Sequence, residues 1–489
     1  TEMPRWRSIS IKSEAAPFFI LFDLTAPASW IAPAKSNSFS VRVVLPASGC
    51  EMMPKVRRRA VSSLNPILLS KVLRGANLAK IARTAAFLRK AKGKICLRGD
   101  KRIFLPRERK RPACRMKIGF DAKRLFNNRS GLGNYSRTLV GQLVRNHPQD
   151  SIVLYTPRAG MEVDFTSAPN VRTVFPQGAW RRMGSLWRTS ALAGIAAKDG
   201  VELYHGLSHE LPVGIERTPV RSVVTIHDLI FMRHPEFYSA FDAWMHLRKV
   251  RYATRVADAV VAISRQTCKD IVELLGVPEE KIRVVYQSIA PLYTGGLSAD
   301  RVEEQLSGFD LPKDFVLCVG TIERRKNQGV LLEALRALPE VNLVLVGRRS
   351  GRYGQQLDRY IERHGLSSRV RLLSGVSSLQ LVCLYHRSRF VAYPSIYEGF
   401  GLPIVEAMGC GKAVLTSSGG CFSEAGGQGA LYVPCRDVRA ITEAMDRLWR
   451  DGELRARLCA EGLRQVQRFS DGDTSERMYA LYSELLGRK

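Results

Sequence analysis

From residue 116 onward, short apolar runs alternate with stretches in which apolar residues recur every three or four positions. The runs at 117–120, 151–156, 171–175, 201–205, 221–226, 259–263 and 281–286 each predict a β-strand, with amphipathic helices between several of them. A turn-rich connector follows from Ser288 to Pro312, holding Pro291, Gly295, Gly296 and Gly308. Alternation then resumes with strands at 315–320, 342–347, 370–373, 389–393, 413–416 and 430–433. Short β-rich runs separated by helices belong to parallel sheets covered on both faces. The fold class read from this is α/β, with two Rossmann-like domains facing an interdomain cleft. The boundaries are 116–295 and 296–470, followed by a C-terminal helix in 471–489 that can pack back on the first domain. In such folds ligands collect at the carboxyl ends of strands, beside helix N-termini.

Residues 1–115 break the pattern. They show no alternation of strand and helix, and they hold basic clusters such as Lys55-Val56-Arg57-Arg58-Arg59. A basic run with interleaved Ala and Leu from Leu68 to Leu97 reads as helical, and fits a membrane surface or another anionic partner. Met116 opens MKIGFDAKRLF, which reads like the natural start of a first strand, whereas the chain begins with Thr1. The segment is therefore expected to be a disordered extension or not native to the protein.

Charge changes the picture only in that segment. The chain carries 75 Lys and Arg against 45 Asp and Glu, a formal charge of +30. Residues 1–115 hold 25 Lys and Arg against 6 Asp and Glu, a net +19, which leaves +11 for the other 374. The remainder is mildly basic, as suits handling of anionic substrates near an anionic surface. No aromatic–basic interleaving or zinc pattern supports nucleic-acid binding. The ten cysteines form no C-x-x-C pair, and reduced thiols in a cytoplasmic protein are expected. No run approaches 18 apolar residues, and Ala15–Ala34 contains Asp23 and three prolines, so neither a membrane span nor a signal peptide is read.

The strongest chemical signal runs from Tyr397 to Gly409, where Glu398 and Glu406 bracket Gly399-Phe400-Gly401. The glycines let the backbone present its N–H groups to a ligand without Cβ interference. Pro403 suits the first helical position, which would place Glu406 in the opening turn, beside the positive helix end. A carboxylate there can accept both hydroxyls of a ribose, and free loop amides can meet a sugar or diphosphate. A second signal is Gly320-Thr321-Ile322-Glu323-Arg324-Arg325-Lys326-Asn327, directly after a strand. A glycine turn with adjacent cations at a helix start suits a diphosphate leaving group. Third, His227 and Asp228 close the strand begun at Val223, which turns His227 toward the cleft. His205 and His209 follow the same logic more weakly. Gly131 and Gly133, in Ser-Gly-Leu-Gly-Asn-Tyr, mark either a tight strand-to-helix turn or a loop closing over ligand.

The Glu398–Glu406 run resembles the E-x7-E signature of the retaining glycosyltransferases of family GT4, which have the GT-B fold. The resemblance covers Met116 to Lys489, about three quarters of the chain. It implies an acceptor-side first domain and a nucleotide-sugar-binding second domain. By the same resemblance Glu406 binds the ribose and Glu398 lies by the donor sugar. The amides of Phe400, Gly401 and Leu402 face the sugar or diphosphate, and Lys326 meets the phosphates. It also implies that His227 contacts the sugar near its anomeric centre, and that Gly131 and Gly133 line the acceptor or phosphate region. Some members carry an Arg directly after the first glycine of the second motif. Here Thr321 stands in that place, and whether Arg324 or Arg325 replaces it stays open; Arg325 is the binding candidate.

Residues 225–228, 233–236 and 325–327 together resemble mannosyltransferases of bacterial surface polysaccharide synthesis. The expected reaction moves a hexose, with mannose from GDP-mannose the subgroup's donor, to a saccharide or lipid-linked acceptor, with retention. It is expected to need no metal or other cofactor: Asp471-Gly472-Asp473 imitates a metal site but precedes a helical stretch, 474–486, whose dipole the acids favour. The expected location is cytoplasmic, at the inner face of the membrane if the association is peripheral. Two rivals stand beside this reading: a sugar-nucleotide epimerase or phosphorylase-like enzyme on the same scaffold, and, from charge alone, a nucleic-acid-binding protein.

Overall fold

The computed structural model describes residues 116–128, 131–349, 351–469 and 471–488, and the backbone of three strands nearer the N-terminus. The chain divides into two units, Thr1–Arg107 and Glu108–Lys489.

In the first unit, Arg7–Ser13, Ala16–Phe22 and Val41–Val43 form an antiparallel sheet, with Arg7 opposite Phe22 and Ile20 opposite Val43. This corrects the expectation of no strand pattern there. Ser8-Ile9-Ser10-Ile11 alternates with the period of a strand, and the basic clusters further on obscured it. The basic run from Leu68 to Leu97 lies outside the described residues.

The second unit contains two parallel sheets. The first comprises β1 (Lys117–Asp121), β2 (Ser151–Tyr155), β3 (Val171–Val174), β4 (Leu203–Gly206), β5 (Arg221–Ile226), β6 (Ala259–Ala262) and β7 (Ile282–Val284). Their order across the sheet is β7-β6-β5-β4-β1-β2-β3. The second comprises β8 (Val316–Val319), β9 (Leu343–Val346), β10 (Val370–Leu373), β11 (Phe390–Tyr393), β12 (Val414–Ser417) and β13 (Ala430–Val433). Its order is β10-β9-β8-β11-β12-β13. Every strand expected from Met116 onward is present within two residues of its expected ends. In both sheets all strands are parallel and the order of connection reverses once, between β1 and β4 and between β8 and β11, and a crevice opens at the carboxyl ends of such a pair.

Apolar clusters cover both faces of each sheet, which is why its strands read as unbroken apolar runs. The helices that matter for the cleft are α1 (Gly131–Asn146), α2 (Ala240–Val256), α3 (Arg265–Leu275), α4 (Gln328–Leu335), α5 (Leu402–Gly409), α6 (Gly420–Gly426) and α7 (Asp471–Leu485). Helix α7 leaves the second sheet and buries Met478, Leu481 and Tyr482 in the core of the first. The Tyr482 hydroxyl lies 2.6 Å from Nδ1 of His205, and Asn146 of α1 donates to Ser475 at 3.1 Å. Helix α7 starts at Asp471 rather than Thr474, so the Asp-Gly-Asp triplet forms its first turn instead of preceding it. The connector 288–312 is less irregular than expected, because Ala299–Leu306 is helical and buries Val302 and Leu306. Among the described residues, no helix is long and apolar enough to cross a membrane.

Candidate active site at the carboxyl ends of the strands

Strand β8 runs into Gly320, whose φ of +148° is a conformation L side chains rarely adopt. Directly beside it, a Cβ on Gly347 would stand 1.9 Å from the Gly320 carbonyl oxygen. These glycines let the turn after β8 lie flat against the end of β9. The chain then makes a single 3-10 turn, Arg324–Lys326, ended by Asn327 in the left-handed region at φ +56°. Asn tolerates that region better than most residues. Its side-chain amide also donates to the carbonyls of Cys435 at 2.6 Å and Pro394 at 3.3 Å. The turn is thereby clamped and aims two cations at the end of β11.

Those cations converge on Glu398. Lys326 Nζ lies 2.6 Å and Arg325 Nη1 2.7 Å from its Oε1. Arg325 also donates to the Tyr397 carbonyl at 2.9 Å and to Glu323 at 2.7 Å. Lys326 also donates to the Tyr393 hydroxyl at 2.7 Å. Glu398 is buried, which by itself would raise its pKa, but Arg325 and Lys326 more than offset this and hold the carboxyl down at about 2. Lys326 has three N–H donors and two acceptors here, so one donor remains for a ligand. Tyr393 did not emerge from the sequence; its place as the last residue of a strand beside the crevice was the available signal.

The segment Gly399–Leu402 follows. Phe400 is buried, its ring 5.8 Å from Tyr286 and 5.2 Å from Phe469, so only its backbone can face a ligand. Gly401, at φ +103°, caps α5, and among the described residues the amides of Phe400, Gly401 and Leu402 donate to no protein acceptor. Unpaired amides at a helix start form an anion site. The helix corrects one expectation: it begins at Leu402, with Pro403 second, so Glu406 stands just past the opening turn. Glu406 accepts from the Tyr385 hydroxyl at 2.9 Å, and the Tyr293 ring lies 6.0 Å from that of Tyr385. Burial lifts the Glu406 pKa to about 7, against the opposing effect of the Tyr385 hydroxyl. Both tyrosines escaped the sequence reading, and Tyr293 lies in a connector where only proximity in space reveals it.

The first domain meets this segment edge to edge. A Cβ on Gly399 would fall 1.9 Å from the His227 carbonyl oxygen and 3.2 Å from the Asp228 Cβ. The Gly399 carbonyl accepts from Ser264 at 2.6 Å, just after β6. Glu424 of α6 accepts from the first two amides of α3, Arg265 at 2.7 Å and Gln266 at 2.8 Å. A Cβ on Gly131 would lie 3.8 Å from Leu402, so the start of α1 also faces the loop. Gly133 is turned inward instead, with Asn128 Oδ1 accepting from its amide at 3.2 Å. Both glycines lie inside α1 rather than in a loop preceding it.

His227 is 3% exposed and both its ring nitrogens have protein partners. Nε2 donates to the Leu207 carbonyl at 2.9 Å, and Nδ1 accepts from the Gln287 amide at 3.1 Å. Burial pushes its pKa down to about 3, which keeps the imidazole neutral. His209, at φ +63°, accepts from the His227 backbone N–H at 2.9 Å. His205 binds Tyr482 and Thr225, which explains it as an anchor for α7. At the first sheet's own reversal point, Arg188 lies 2.6 Å from Asp121 and 2.7 Å from Glu210. Among the described residues no three His, Cys, Asp or Glu side chains gather as metal ligands.

The sequence pattern of a family described as Glycosyl transferases group 1 matches residues 301–465, and that of Glycosyltransferase Family 4 matches residues 129–291. The O-antigen chain mannosyltransferase B of Escherichia coli is 30% identical over 274 residues, 55% of this chain and 70% of that protein. The serotype-specific mannosyltransferase WbdA of Escherichia coli is 27% identical over 292 residues, 58% of this chain and 36% of WbdA. This chain thus matches only about a third of WbdA's length. Among solved structures, a sucrose-phosphate synthase from Thermosynechococcus elongatus superposes with a TM-score of 0.64 at 23% identity, over 76% of this chain and all of that one. Anabaena HepE in complex with UDP-glucose gives a TM-score of 0.61 at 20% identity over the same 76%, again covering that whole chain. These two share the fold.

Proposed function

Because the chain belongs to the glycosyltransferases of group 1 and family 4, we propose that it moves a hexose from a nucleoside-diphosphate sugar to an acceptor hydroxyl with retained configuration. The observation that carries this reading is the meeting of Lys326, Arg325 and Glu398 beside three unpartnered amides at the start of α5. Glu323 also pairs with Arg325, so the ion pairs balance; what the crevice offers an anion is the spare Lys326 N–H and the free amides. That combination suits the growing negative charge of a departing diphosphate. Its cations are already held by protein acceptors, so little reorganisation accompanies charge development. Glu406 is assigned to the ribose and Glu398 to the donor-sugar side, where it also fixes both cations.

No side chain is placed as a covalent nucleophile. In the same-face route the diphosphate oxygen takes the acceptor proton as the glycosidic bond breaks, so the chain's task is to hold and stabilise. Burial keeps His227 neutral, and it reaches the sugar only by exchanging one of its two present partners. We assign its backbone, packed on Gly399, to holding the two domains in register. The mannosyltransferase names of WbdA and mannosyltransferase B support mannose, and the O-antigen chain in the latter's name supports a saccharide or lipid-linked acceptor in surface polysaccharide synthesis. HepE was solved with UDP-glucose, so the base is decided by test. A cytoplasmic site of action with peripheral membrane association belongs to the same proposal.

The test is a panel of UDP-, GDP- and ADP-sugars read first by thermal shift and then by nucleoside diphosphate release. A donor at about 100 times its dissociation constant adds roughly 2.7 kcal/mol of stability. Release that requires an acceptor, and a product of unchanged anomeric configuration, is the expected result. Release of nucleotide without acceptor, or an epimerised sugar nucleotide, would overturn it.

A further inference from the structure

We propose that Asp270 of α3 is a positioning residue for the transfer. Held in its own domain by Arg233, it takes the Tyr397 hydroxyl across the domain seam and so fixes the Glu398 loop against the acceptor side. The inference rests on the proposed transfer, which gives this link its purpose. The residues of α3 that turn inward are Thr267, Asp270 and Ile271, so an acid interrupts the buried face. The Asp270 side chain is 1% exposed, and buried charges persist where they are paired and hydrogen-bonded. Its Oδ1 accepts from Arg233 Nε at 2.8 Å and from the Gln266 side-chain amide at 2.9 Å. Its Oδ2 accepts from the Tyr397 hydroxyl. Two of these donors belong to the first domain, and Tyr397 belongs to the second. Gln266 also donates to the Tyr397 oxygen at 2.9 Å, so that hydroxyl donates once and accepts once. A hydroxyl with both roles filled, one of them by a carboxylate, is fixed in direction as well as place.

Residues 233–236, Arg-His-Pro-Glu, have no part in the donor contacts assigned above, yet they converge on this one ring. Arg233 ends the short helix Ile230–Arg233, and its guanidinium also meets Glu273, one turn beyond Asp270 on α3. The His234 ring lies 5.1 Å from the Tyr397 ring. Glu236 accepts from His234 Nδ1 at 3.0 Å, and Pro235 opens the 3-10 turn that carries Glu236 back to it. The motif therefore builds a socket in the first domain for a side chain of the second.

The backbone of Tyr397 leads to the chemistry. Its carbonyl accepts from Arg325 Nη1 at 2.9 Å, and the next residue is Glu398, which pairs with both Arg325 and Lys326. The Ile396 amide donates to the Arg325 carbonyl at 2.8 Å. Within the second domain the loop is thus tied to its cations, and the Tyr397 hydroxyl ties it to the first domain. Ser264 and Thr267 add donors from the same helix start to the Gly399 carbonyl, at 2.6 and 3.3 Å. The donor contacts assigned above lie in the second domain alone. Releasing the Tyr397 link should therefore spare donor binding and disturb how the acceptor hydroxyl meets the donor. A carboxylate that served only to tie Arg233 to α3 would act within the first domain and leave the loop untouched.

The test compares the full chain with Tyr397→Phe, Asp270→Asn and the double variant. Tyr397→Phe leaves Asp270 with Arg233 and Gln266, so it folds and carries the test by itself where Asp270→Asn does not. Hydrogen exchange without ligand, read by mass spectrometry, is the first measurement. Each single substitution should speed exchange in peptides covering both 264–272 and 396–402, and the double variant should add nothing further. Turnover with the sugar nucleotide selected by the panel above is the second. It should fall between about 10- and 100-fold, the scale of a misplacement of about 1 Å, while the donor dissociation constant stays near wild type. Exchange that is unchanged, or faster in 264–272 alone, overturns the link across the seam. Faster exchange on both sides with wild-type turnover overturns the positioning role, as do losses that add in the double variant. Donor affinity that falls as far as turnover makes Tyr397 part of donor binding and overturns it too. A wild-type chain that releases no nucleoside diphosphate with acceptor present sinks the proposed transfer, and the exchange result then judges the link alone.

Discussion

The two sheets share one topology, yet the crevices at their reversal points differ in the hydrogen-bond donors they leave free. Between β8 and β11, two cations share one carboxylate: Arg325 and Lys326 both reach Glu398. Between β1 and β4, two carboxylates share one cation: Asp121 and Glu210 both reach Arg188. In the first arrangement Glu323 completes the charge balance at Arg325, but one Lys326 N–H is to spare, beside amides with no acceptor among the described residues. The second is closed, with Lys249 completing the neutralisation of Glu210 and three histidines nearby, each with at least one ring nitrogen held by the protein. Burial pushes the pKa of His205 to about 3, His209 to about 4 and His227 to about 3, so none adds charge at neutral pH. The same scaffold thus leaves N–H donors free at one crevice and pairs its charged groups fully at the other. That difference follows from which residue types stand after the strands, not from the strands themselves.

If the contrast is real, the largest loss should come from Lys326. As a glycosidic bond breaks, charge grows on the diphosphate, and a fixed cation favours that state over the bound donor. Lys326→Ala is expected to lower turnover about 100- to 1000-fold, equivalent to roughly 2.7–4 kcal/mol. Donor affinity should fall less. Turnover and donor dissociation constant must be measured separately, because normal turnover with lost affinity would make Lys326 a mere anchor. The variant also leaves Glu398 with Arg325 alone, so an unchanged melting profile is part of the check. Glu406→Ala comes next. Losing charge-assisted bonds to the ribose costs roughly 1.5–3 kcal/mol, about 10- to 150-fold in donor affinity. A folded variant with wild-type affinity would remove Glu406 from the donor site.

How far this site could be read before the structure depended on whether its residues were neighbours in sequence. The apolar runs marked all thirteen strands of the second unit, since strands buried on both faces carry their signal in composition alone. Glu398 and Lys326 were legible because glycines and cations cluster around them. Their pairing, 72 residues apart, was not, nor was the Tyr393 hydroxyl that shares Lys326. Gly399 was assigned to ligand approach, whereas its missing Cβ also lets the His227 carbonyl pass at the domain seam. The position of His227 at a strand end drew attention to its ring. Only coordinates reveal that Leu207 and Gln287 occupy both nitrogens.

That last point supplies a smaller effect that separates the two crevices. His227→Phe keeps the ring near Tyr135, whose centroid lies 4.8 Å from that of His227, but it strands the Leu207 carbonyl and the Gln287 amide. Each unsatisfied buried group costs about 1–3 kcal/mol, so melting should fall measurably. If the ring is structural, turnover of the folded variant at low temperature should stay within about tenfold of wild type, well short of the Lys326 effect. A loss of 1000-fold in a folded variant would instead restore the imidazole to the donor sugar and break the contrast drawn here.

The smallest effect is a slope in pH, and it isolates Glu406, the carboxylate proposed for the ribose. Burial raises the Glu406 pKa from an ordinary 4.5 to about 7 in the folded chain. Between those values the folded state holds a proton that the unfolded state has released. Stability must therefore fall as pH rises across that window. The contribution is complete below about pH 4.5 and gone once pH has passed through about 7. Glu406→Gln keeps the shape but cannot ionise, so this part of the slope should vanish. Melting temperatures of the two proteins, compared from pH 5 to pH 8.5, should draw apart in the variant's favour by a few degrees at most. Saturating donor should flatten the wild-type slope as well, because ribose hydroxyls favour the ionised carboxylate and draw its pKa back down. A wild-type slope that survives the substitution unchanged belongs to another group. A slope that donor leaves untouched would mean that Glu406 titrates away from the nucleotide, inside its tyrosine pair.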